Sequence, residues 1–494
     1  MQTIKNNSII WLRRSLRLDD NKVIEKATAS GLQLVFVFVF DSLILKRFKN
    51  KQDRRLSFII SSLEIINNQL EEYGAKLFIL YGDSREVIPN FAEKINATKI
   101  YTELDFEPLS IQRDEFIKEK LKENCDFIQA LDHLLIHPSD ISKNDGSPFK
   151  VFTPFMKIFR NSISSDHLKY CSYNIKNKIA PFKEIVELIY RDLNNSANSI
   201  NIKEDKNFIK INIFNGDNKK DLLKIAGYEY YEDELWQPKD AKRNMYDFID
   251  SKLSTYHTNR NKLDIAGTSS ISPFLRFGNI SIRELFSLSI DNEVNPNYTN
   301  ELIWREFYTY IIYYFPETIN TEFQHKYRNN IKWKFDEKKW ELFKQGNTGF
   351  PVVDAAVRQL VNTGWMHNRA RMIVANFLTK NLFFDWRLGE DFFANYLMDY
   401  DLASNVGGWQ WSASTGTDAA PYFRIFNPTL QGQRFDTSGD YVRKFVPELK
   451  EIPTSDIHNG EVIAEKYKIS NYNAPIVDYK FTRDRAISYF KNMA

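Results

Sequence analysis

The sequence predicts an α/β N-terminal domain, a parallel sheet with helices on both faces, followed by an all-helical C-terminal domain. Three observations carry that prediction. Short runs rich in Ile, Val and Phe alternate with helix-period stretches over the first 135 residues, and such alternation implies a parallel sheet covered on both sides. Beyond about residue 225 the strand signal fades, and helix-period stretches dominate to about residue 445. The tryptophans divide the same way: Trp11 is alone in the first 235 residues, and Trp236, Trp304, Trp333, Trp340, Trp365, Trp386, Trp409 and Trp411 lie beyond.

The strand candidates are residues 8–12, 32–40, 76–80, 99–101 and 127–130. The clearest helix between them is 54–73, with Leu56, Ile59, Ile60, Leu63 and Ile66 on one face. Asp19 and Asp20 precede a helix beginning near Lys22 and are expected to cap it. No GxGxxG follows the first strand, so the ordinary dinucleotide fingerprint is absent. From about 184 to 225 the chain becomes rich in Asn, Lys and Asp, as linkers and surface excursions are. The expected organisation is an α/β domain over 1–135, a connector over 136–225 and a helical domain over 226–494, with a last helical stretch at 483–491.

Composition sets the class. With 494 residues, 43% hydrophobic and 27% charged, the chain has the balance of a soluble globular protein of two or three domains. Only Cys125 and Cys171 are present, so there is neither a disulfide framework nor a CxxC metal site. The opening MQTIKNNSII does not read as a signal peptide. The longest strongly apolar run, residues 34–40, is too short to span a bilayer. A soluble, cytoplasmic protein is expected. The net charge of +3 neither supports nor excludes a nucleic-acid partner, because basic residues act as local patches.

Three stretches bear on chemistry. In GTSSISPFLRFGNIS, residues 267–281, Ser272 before Pro273 reads as an N-cap followed by a first-turn proline. Thr268 and Ser269 place hydroxyls at the positive end of that helix, which suits phosphate, although such clusters are usually only caps. In NELIWREFYTYIIYYFP, residues 300–316, Glu301, Trp304 and Arg305 share one helical face. A carboxylate beside an indole suits a flat heterocycle; a surface ion pair beside a core Trp is the plainer alternative. The third stretch holds TGWMHNRARM and DYDLASNVGGWQWSASTGTDAAPYFRIFNP, where Asn368 and Met372 share a face and Gly407, Gly408 and Gly416 allow close backbone approach. So long a run of small and polar residues in an aliphatic helical domain reads as the wall of a buried site.

WREFY, GWMHNRARM, DYDLASNVGGWQW and STGTDAAPYFRIFNP together resemble the flavin domain of the photolyase/cryptochrome family, and most closely its class I cyclobutane pyrimidine dimer photolyases. WLRRSLRLDDN resembles the family's opening strand and loop, so the match spans essentially the whole chain. The resemblance implies a Rossmann-like α/β antenna domain and a helical domain holding FAD, with no metal. By the same carry-over, Tyr256, Thr268, Ser269 and Ser272 contact the FAD pyrophosphate region, with Ser270 standing where the family usually has a basic residue. Arg371, Asp399 and Asp401 line the flavin ring and ribose, and Asn405 faces the flavin N5. Glu301, Trp304, Asn368, Met372 and Trp411 form the substrate cavity, and Arg260, Arg369 and Arg424 meet the DNA backbone. Trp409, Trp386 and Trp333 match the tryptophans that carry an electron to the flavin.

The implied activity is light-dependent repair of pyrimidine dimers in DNA by a monomer without an obligate protein partner or a membrane. Glu301, protonated or sharing a proton, would hydrogen-bond the thymine carbonyl where charge develops. Repair of the (6-4) lesion is disfavoured, because such enzymes use a His pair where this chain has His367 followed by Asn368 and Met372. A cryptochrome-type signalling protein is the other alternative, disfavoured by the intact cavity set. A second, antenna chromophore is expected near residues 101–114; DFEP with Arg113 and Asp114 is closer to relatives using a deazaflavin than to those using a reduced folate.

Overall fold

The computed structural model describes residues 7–190, 210–215, 217–294 and 296–493. Residues 191–209, within the expected linker, lie outside the described residues. The chain forms two compact units, the first comprising Met1–Asp140, Ser162–Tyr246 and Ile271–Asp291, the second Ile141–Asn161, Asp247–Ser270 and Asn292–Ala494. These units do not follow the expected boundaries, because the 136–225 segment is shared between them rather than standing apart. The helix Phe152–Ser162 has an apolar stripe, and its Phe155 ring lies 5.1 Å from Phe307 and 4.9 Å from Tyr310, which ties it to the second unit.

In the first unit the strands are β1 (Asn7–Leu12), β2 (Gln33–Asp41), β3 (Phe78–Gly82), β4 (Ala97–Glu103), β5 (Asp126–Ala130) and β6 (Lys210–Ile213). They form one six-stranded sheet in the order β5-β4-β1-β2-β3-β6, parallel except for β6, which runs antiparallel to β3. Alternate residues feed two separate cores. Ile10, Leu12, Leu34, Phe36 and Ile79 pack on one face, and Ile9, Trp11, Val35, Val37 and Leu80 on the other. Both faces are therefore covered, as expected. β6 was hidden from the sequence by its Asn- and Lys-rich surroundings, although Ile211 and Ile213 keep the strand period and pack on the second face.

The strand order reverses at β1, which puts the topological switch point at the carboxyl ends of β1 and β4. Glu103, at the end of β4, accepts the backbone N–H groups of Arg13 and Arg14 at 3.1 Å each and of Ser15 at 2.9 Å. Arg13 pairs with Asp114 at 2.8 Å, Arg113 pairs with the same carboxylate at 2.9 Å, and both guanidinium groups stand about 5 Å over the Trp11 ring. The 101–114 segment thus spends its charges on protein partners.

Two expected caps differ. Asn21, not Asp19 or Asp20, caps Lys22–Thr28, accepting from the Val23 and Ile24 N–H groups. Asp19 instead pairs with Lys242, and Asp20 turns inward to Arg283. Ser272 is the first residue of its five-residue helix, whose cap position is Ile271, because the Ile271 carbonyl accepts the first helical bond from Leu275. The Arg283 side chain is 2% exposed and lies 3.2 Å from Asp20 and 2.9 Å from Asp132, the latter also held by Arg17 at 2.7 Å. Removing one partner of a buried ion pair strands the other charge. Arg283→Ala is therefore expected to cost about 3–5 kcal/mol, read as a lower urea midpoint; an unchanged midpoint would show that water or Arg17 compensates.

The second unit is helical, around a core that includes Trp386, Trp409, Phe392, Phe393 and Leu360, with Trp333 and Met372 packed on it. Gly389 is required there, since a Cβ would stand 2.0 Å from the Trp409 ring. No helix among the described residues is long and apolar enough to cross a membrane.

Candidate functional site

The helix Asn297–Tyr314 carries Glu301 and Trp304 on its partly exposed face while Leu302, Ile303, Phe307 and Ile311 are buried. Glu301 forms an ion pair with Arg260 at 2.6 Å. Trp304 stacks on Phe152 with ring centroids 3.7 Å apart and 6° between planes, so one face of the indole is already taken. Tyr256 and Tyr298 pack edge to face at 5.2 Å, and the Tyr298 hydroxyl is hydrogen-bonded to Ser269. Gly267 presses the Thr268–Ser269 loop onto the Tyr256–Asn259 helix, because a Cβ would stand 2.8 Å from the Asn259 carbonyl oxygen. Tyr256, Ser269, Arg260 and Glu301 thus come together. Ser272 belongs to the first unit.

A second group gathers around the helix Leu402–Ala413. Asp401 caps it, accepting from the Ser404 N–H at 3.1 Å. Arg371 pairs with Asp399 at 2.7 Å and donates to the Met366 carbonyl at 2.8 Å. The Asn405 amide NH₂ donates to the carbonyl and the carboxyl of Glu390 at 3.1 and 2.9 Å, which turns its amide oxygen away from Glu390. Burial pushes the Glu390 carboxyl up. Gly408, one turn on, has no atom within 4 Å of where a Cβ would stand, so there is open space beside Asn405. A separate small cleft lined by Tyr308, Ile311, Gly407, Gln410 and Gly416 is on the opposite face of this helix; two of the three glycines expected to allow close approach therefore sit there, and the Tyr308 ring takes the space beside Gly407, where a Cβ would stand 2.1 Å from it.

Electrostatics joins the groups at His367, which caps the helix Asn368–Asn376 through Nδ1, accepting the Arg369 N–H at 3.0 Å. Burial, together with repulsion from Arg369, Arg371 and Arg260, lowers His367 from 6.5 to about 4. A neutral ring that accepts at Nδ1 carries its hydrogen at Nε2, and that buried atom has no protein partner. Arg369 is pushed down to about 10 by burial and by Arg260, Arg424 and Arg434. Its guanidinium is held by the neutral Asn261 amide at 2.7 Å and lies 4.6 Å over the Phe435 ring. The three arginines expected at DNA are therefore neighbours, Arg424 being exposed. Asn368 is exposed and Met372 half-buried on the same helix, and Trp411 is half-buried on Leu402–Ala413. Among the tryptophans, Trp409 lies 4.8 Å from Phe393 in the helix that Trp386 opens, and Trp333 packs on the same core beside Phe383 at 5.3 Å.

Sequence reasoning did not name Arg434, Glu390, Tyr298, Asn261 or Phe152, all of which act through a partner distant in sequence. Only Phe152 left a trace, in the spacing of Phe152, Phe155 and Phe159.

Residues 298–492 match the family described as the FAD binding domain of DNA photolyase, and residues 8–171 match DNA photolyase. The chain is 33% identical to a deoxyribodipyrimidine photo-lyase of Alkalihalophilus pseudofirmus, across 98% of this chain and 97% of that one. This chain belongs to the DNA photolyase family. Its structure is similar to a bacterial class III photolyase from Agrobacterium tumefaciens, with a TM-score of 0.81 and 29% identity over 99% of this chain and 98% of the other. It shares its fold with a Synechocystis cryptochrome, at a TM-score of 0.80 and 24% identity over 99% of this chain and 100% of that one.

In this photolyase relative the residues present fit FAD: phosphate-suited hydroxyls at Thr268 and Ser269, an unpartnered donor on His367, the Arg371–Asp399 pair and an oriented amide at Asn405 beside open space. The lowered His367 value also bears on stability. The folded state favours the neutral ring, so this contribution is complete above pH 6.5 and is lost as pH falls toward about 4. His367→Asn keeps a competent cap. It should remove roughly 1–3 kcal/mol of the stability difference between pH 7 and pH 4.5, measured by urea unfolding at the two pH values. An identical pH dependence in both proteins would place the titrating group elsewhere.

Proposed function

We propose that this photolyase repairs cyclobutane pyrimidine dimers in DNA under light, with FAD held in the helical unit. The observation that carries the reading is the pairing of a carboxylate and a stacked indole, Glu301 and Trp304, beside a group of arginines that includes one without a carboxylate partner in its own hydrogen bonds. Tyr256, Thr268 and Ser269 hold the pyrophosphate region, Arg371, Asp399 and Asp401 the ring and ribose, and Asn405 presents its amide oxygen to the flavin. Bound FAD, reduced and excited by light, supplies the electron that opens the cyclobutane ring.

The chain's own residues do the rest. Arg369 and Arg424, with Arg434, attract the phosphate backbone. Flipping the dimer from the duplex costs a few kcal/mol, and less where the lesion already stacks poorly. Trp304, backed by Phe152, offers its remaining face to the extruded bases, and Trp411, Asn368 and Met372 complete the cavity. The Arg260–Glu301 pair places a guanidinium beside the carboxyl, so negative charge developing on a base carbonyl meets the guanidinium, and meets the carboxyl through a shared proton. For a second pigment the carboxyl edge of the sheet offers Arg113 and Asp114, but Asp114 already pairs with both Arg113 and Arg13.

Binding should weaken as salt rises, since phosphate contacts release counterions. Arg369→Ala and Arg424→Ala should weaken binding to damaged and undamaged duplexes alike, each flattening the logarithmic salt slope by about 1. Equal affinity for damaged and undamaged DNA at every salt concentration in the wild type would end the repair reading.

Glu301→Ala should lower repair yield per absorbed photon more than dimer affinity, because its interaction strengthens only as charge develops. Trp304→Ala should do the reverse, losing about 1–3 kcal/mol of binding. Both are read with a defined dimer-containing oligonucleotide and fully reduced flavin. Wild-type protein without light-dependent repair would favour the signalling reading; repair unaffected by either substitution would move the cavity off this helix.

A further inference from the structure

We propose that residues 149–152 form a strap joining the two aromatic walls of the substrate cavity, with Phe152 and Asp418 as positioning residues that set its selectivity for a two-base lesion. This rests on the reading of Trp304 and Trp411 as the faces that receive the extruded bases. The segment falls inside the expected interdomain connector, yet it is built into the helical unit. At one end the Phe149 N–H donates to the Tyr310 hydroxyl at 2.9 Å and the Phe152 ring lies flat on Trp304, which fastens the strap to the helix Asn297–Tyr314 at two points. At the other end the Phe152 N–H donates to Asp418 Oδ2 at 3.1 Å, and the Thr417 hydroxyl donates to the Lys150 carbonyl at 2.7 Å. Thr417 and Asp418 lie in the turn that follows the helix Leu402–Ala413 and folds back on it, the Ala420 N–H donating to the Trp411 carbonyl at 3.2 Å. The strap thus runs from the wall of Trp304 to the wall of Trp411.

The two helices already touch where Gly407 meets the Tyr308 ring. One such contact leaves them able to rock about it, and a second tie at a distance removes that freedom. The indole itself is fixed by three rings: Phe152 on its face, Phe307 at 5.6 Å and Tyr308 at 5.4 Å. Held in this way it cannot turn over, and its rear face is closed to a second stacked base. Walls at a fixed gap suit a dimer, whose two bases are joined and do not adjust separately. A single normal base fills only part of that gap, and stacking surface left empty gives no binding. Ordering both walls before the substrate arrives also removes that cost from the binding step.

Asp418 shows how the far anchor is made. Its backbone sits at φ +44°, in the left-handed region that Asp and Asn tolerate better than most side chains. From there an exposed carboxylate reaches the first turn of the helix Phe152–Ser162, where unpaired N–H groups favour negative charge. A cap supplied from 266 positions away does more than start a helix. It fixes where that helix stands.

The test uses FAD-loaded protein kept in the dark and one labelled duplex, with and without a single thymine dimer. Phe152→Leu should lower the ratio of affinities for damaged over undamaged duplex about fivefold. Phe152→Tyr keeps the flat ring and should restore the ratio. Asp418→Gly accepts the left-handed backbone but loses the tie, and should lower the ratio as well. Asp418→Asn keeps an acceptor oxygen and should recover it. Affinity for the undamaged duplex, set by the arginines, should change little throughout. Wild-type ratios in both Phe152→Leu and Asp418→Gly would overturn the strap and leave the repair reading standing. Equal weakening toward both duplexes would overturn it too, since the segment would then be a phosphate-contacting surface. A wild-type protein that binds both duplexes alike would overturn the repair reading, and the strap with it. Should Phe152→Leu fail to fold by circular dichroism, Thr417→Val decides: it cuts the Lys150 tie at nearly constant shape, and an unchanged ratio overturns the proposal.

Discussion

Positive charge that the helical unit does not fully cancel is the constraint on which its site depends. Burial first, and then repulsion from Arg369, Arg371 and Arg260, holds the His367 ring neutral, and Arg260, Arg424 and Arg434 act together on Arg369. Two carboxylates answer them directly, Glu301 at Arg260 and Asp399 at Arg371. The Arg369 guanidinium is steadied by an amide and an aromatic face, Asn261 and Phe435. Crowding guanidinium groups in partial burial is unfavourable in the isolated protein. It becomes favourable when phosphates arrive, which is why such a cluster marks a polyanion site better than the net charge of +3 does.

The rest of the unit serves to hold those charges still. His367 spends its one acceptor as a helix cap, so the chain direction at Arg369 and Arg371 is set by a buried ring with no freedom to titrate near neutrality. Asp401 does the same for the helix of Asn405, and Glu390 takes both hydrogens' worth of the Asn405 amide through two bonds. An amide held in this way faces a ligand with a defined atom rather than with either of two. Gly389 then lets the Trp409 ring lie directly on the neighbouring helix, a contact any side chain would break.

Much of this was legible in the sequence, for identifiable reasons. β1, β2 and β3 announced themselves because their residues are buried and apolar nearly without interruption, and β4 and β5 through shorter apolar runs at Ile100 and Tyr101 and at Phe127 and Ile128. β6 did not, because an edge strand of four residues inside a polar stretch carries too little apolar signal. The cap before Lys22 was assigned to the wrong residue because Asp20 has a stronger attraction elsewhere: Arg283 lies 263 positions away in the chain and outbids a local N–H group. At the site, Glu301 with Trp304 and Asn368 with Met372 were placed on shared helical faces by spacing, whereas Asn405 rested on the family resemblance. Their partners Arg260, Phe152 and Glu390 were not, since ion pairs and ring stacks between distant segments leave no periodicity to read.

The two ends of the site also differ in what burial is asked to do. At Glu301 and Trp304 the groups are partly exposed, and Phe152 covers one face of the indole. At Trp386 and Trp409 the rings are 1% and 2% exposed, and no substrate is to reach them. A charge that appears in that interior has only the protein to answer it, which makes the placement of a single buried carboxylate decisive there and nearly irrelevant at the surface. Glu322 is the carboxylate that hydrogen-bonds one of those indoles, Trp386, at 3.3 Å, while its second oxygen is buried without a partner.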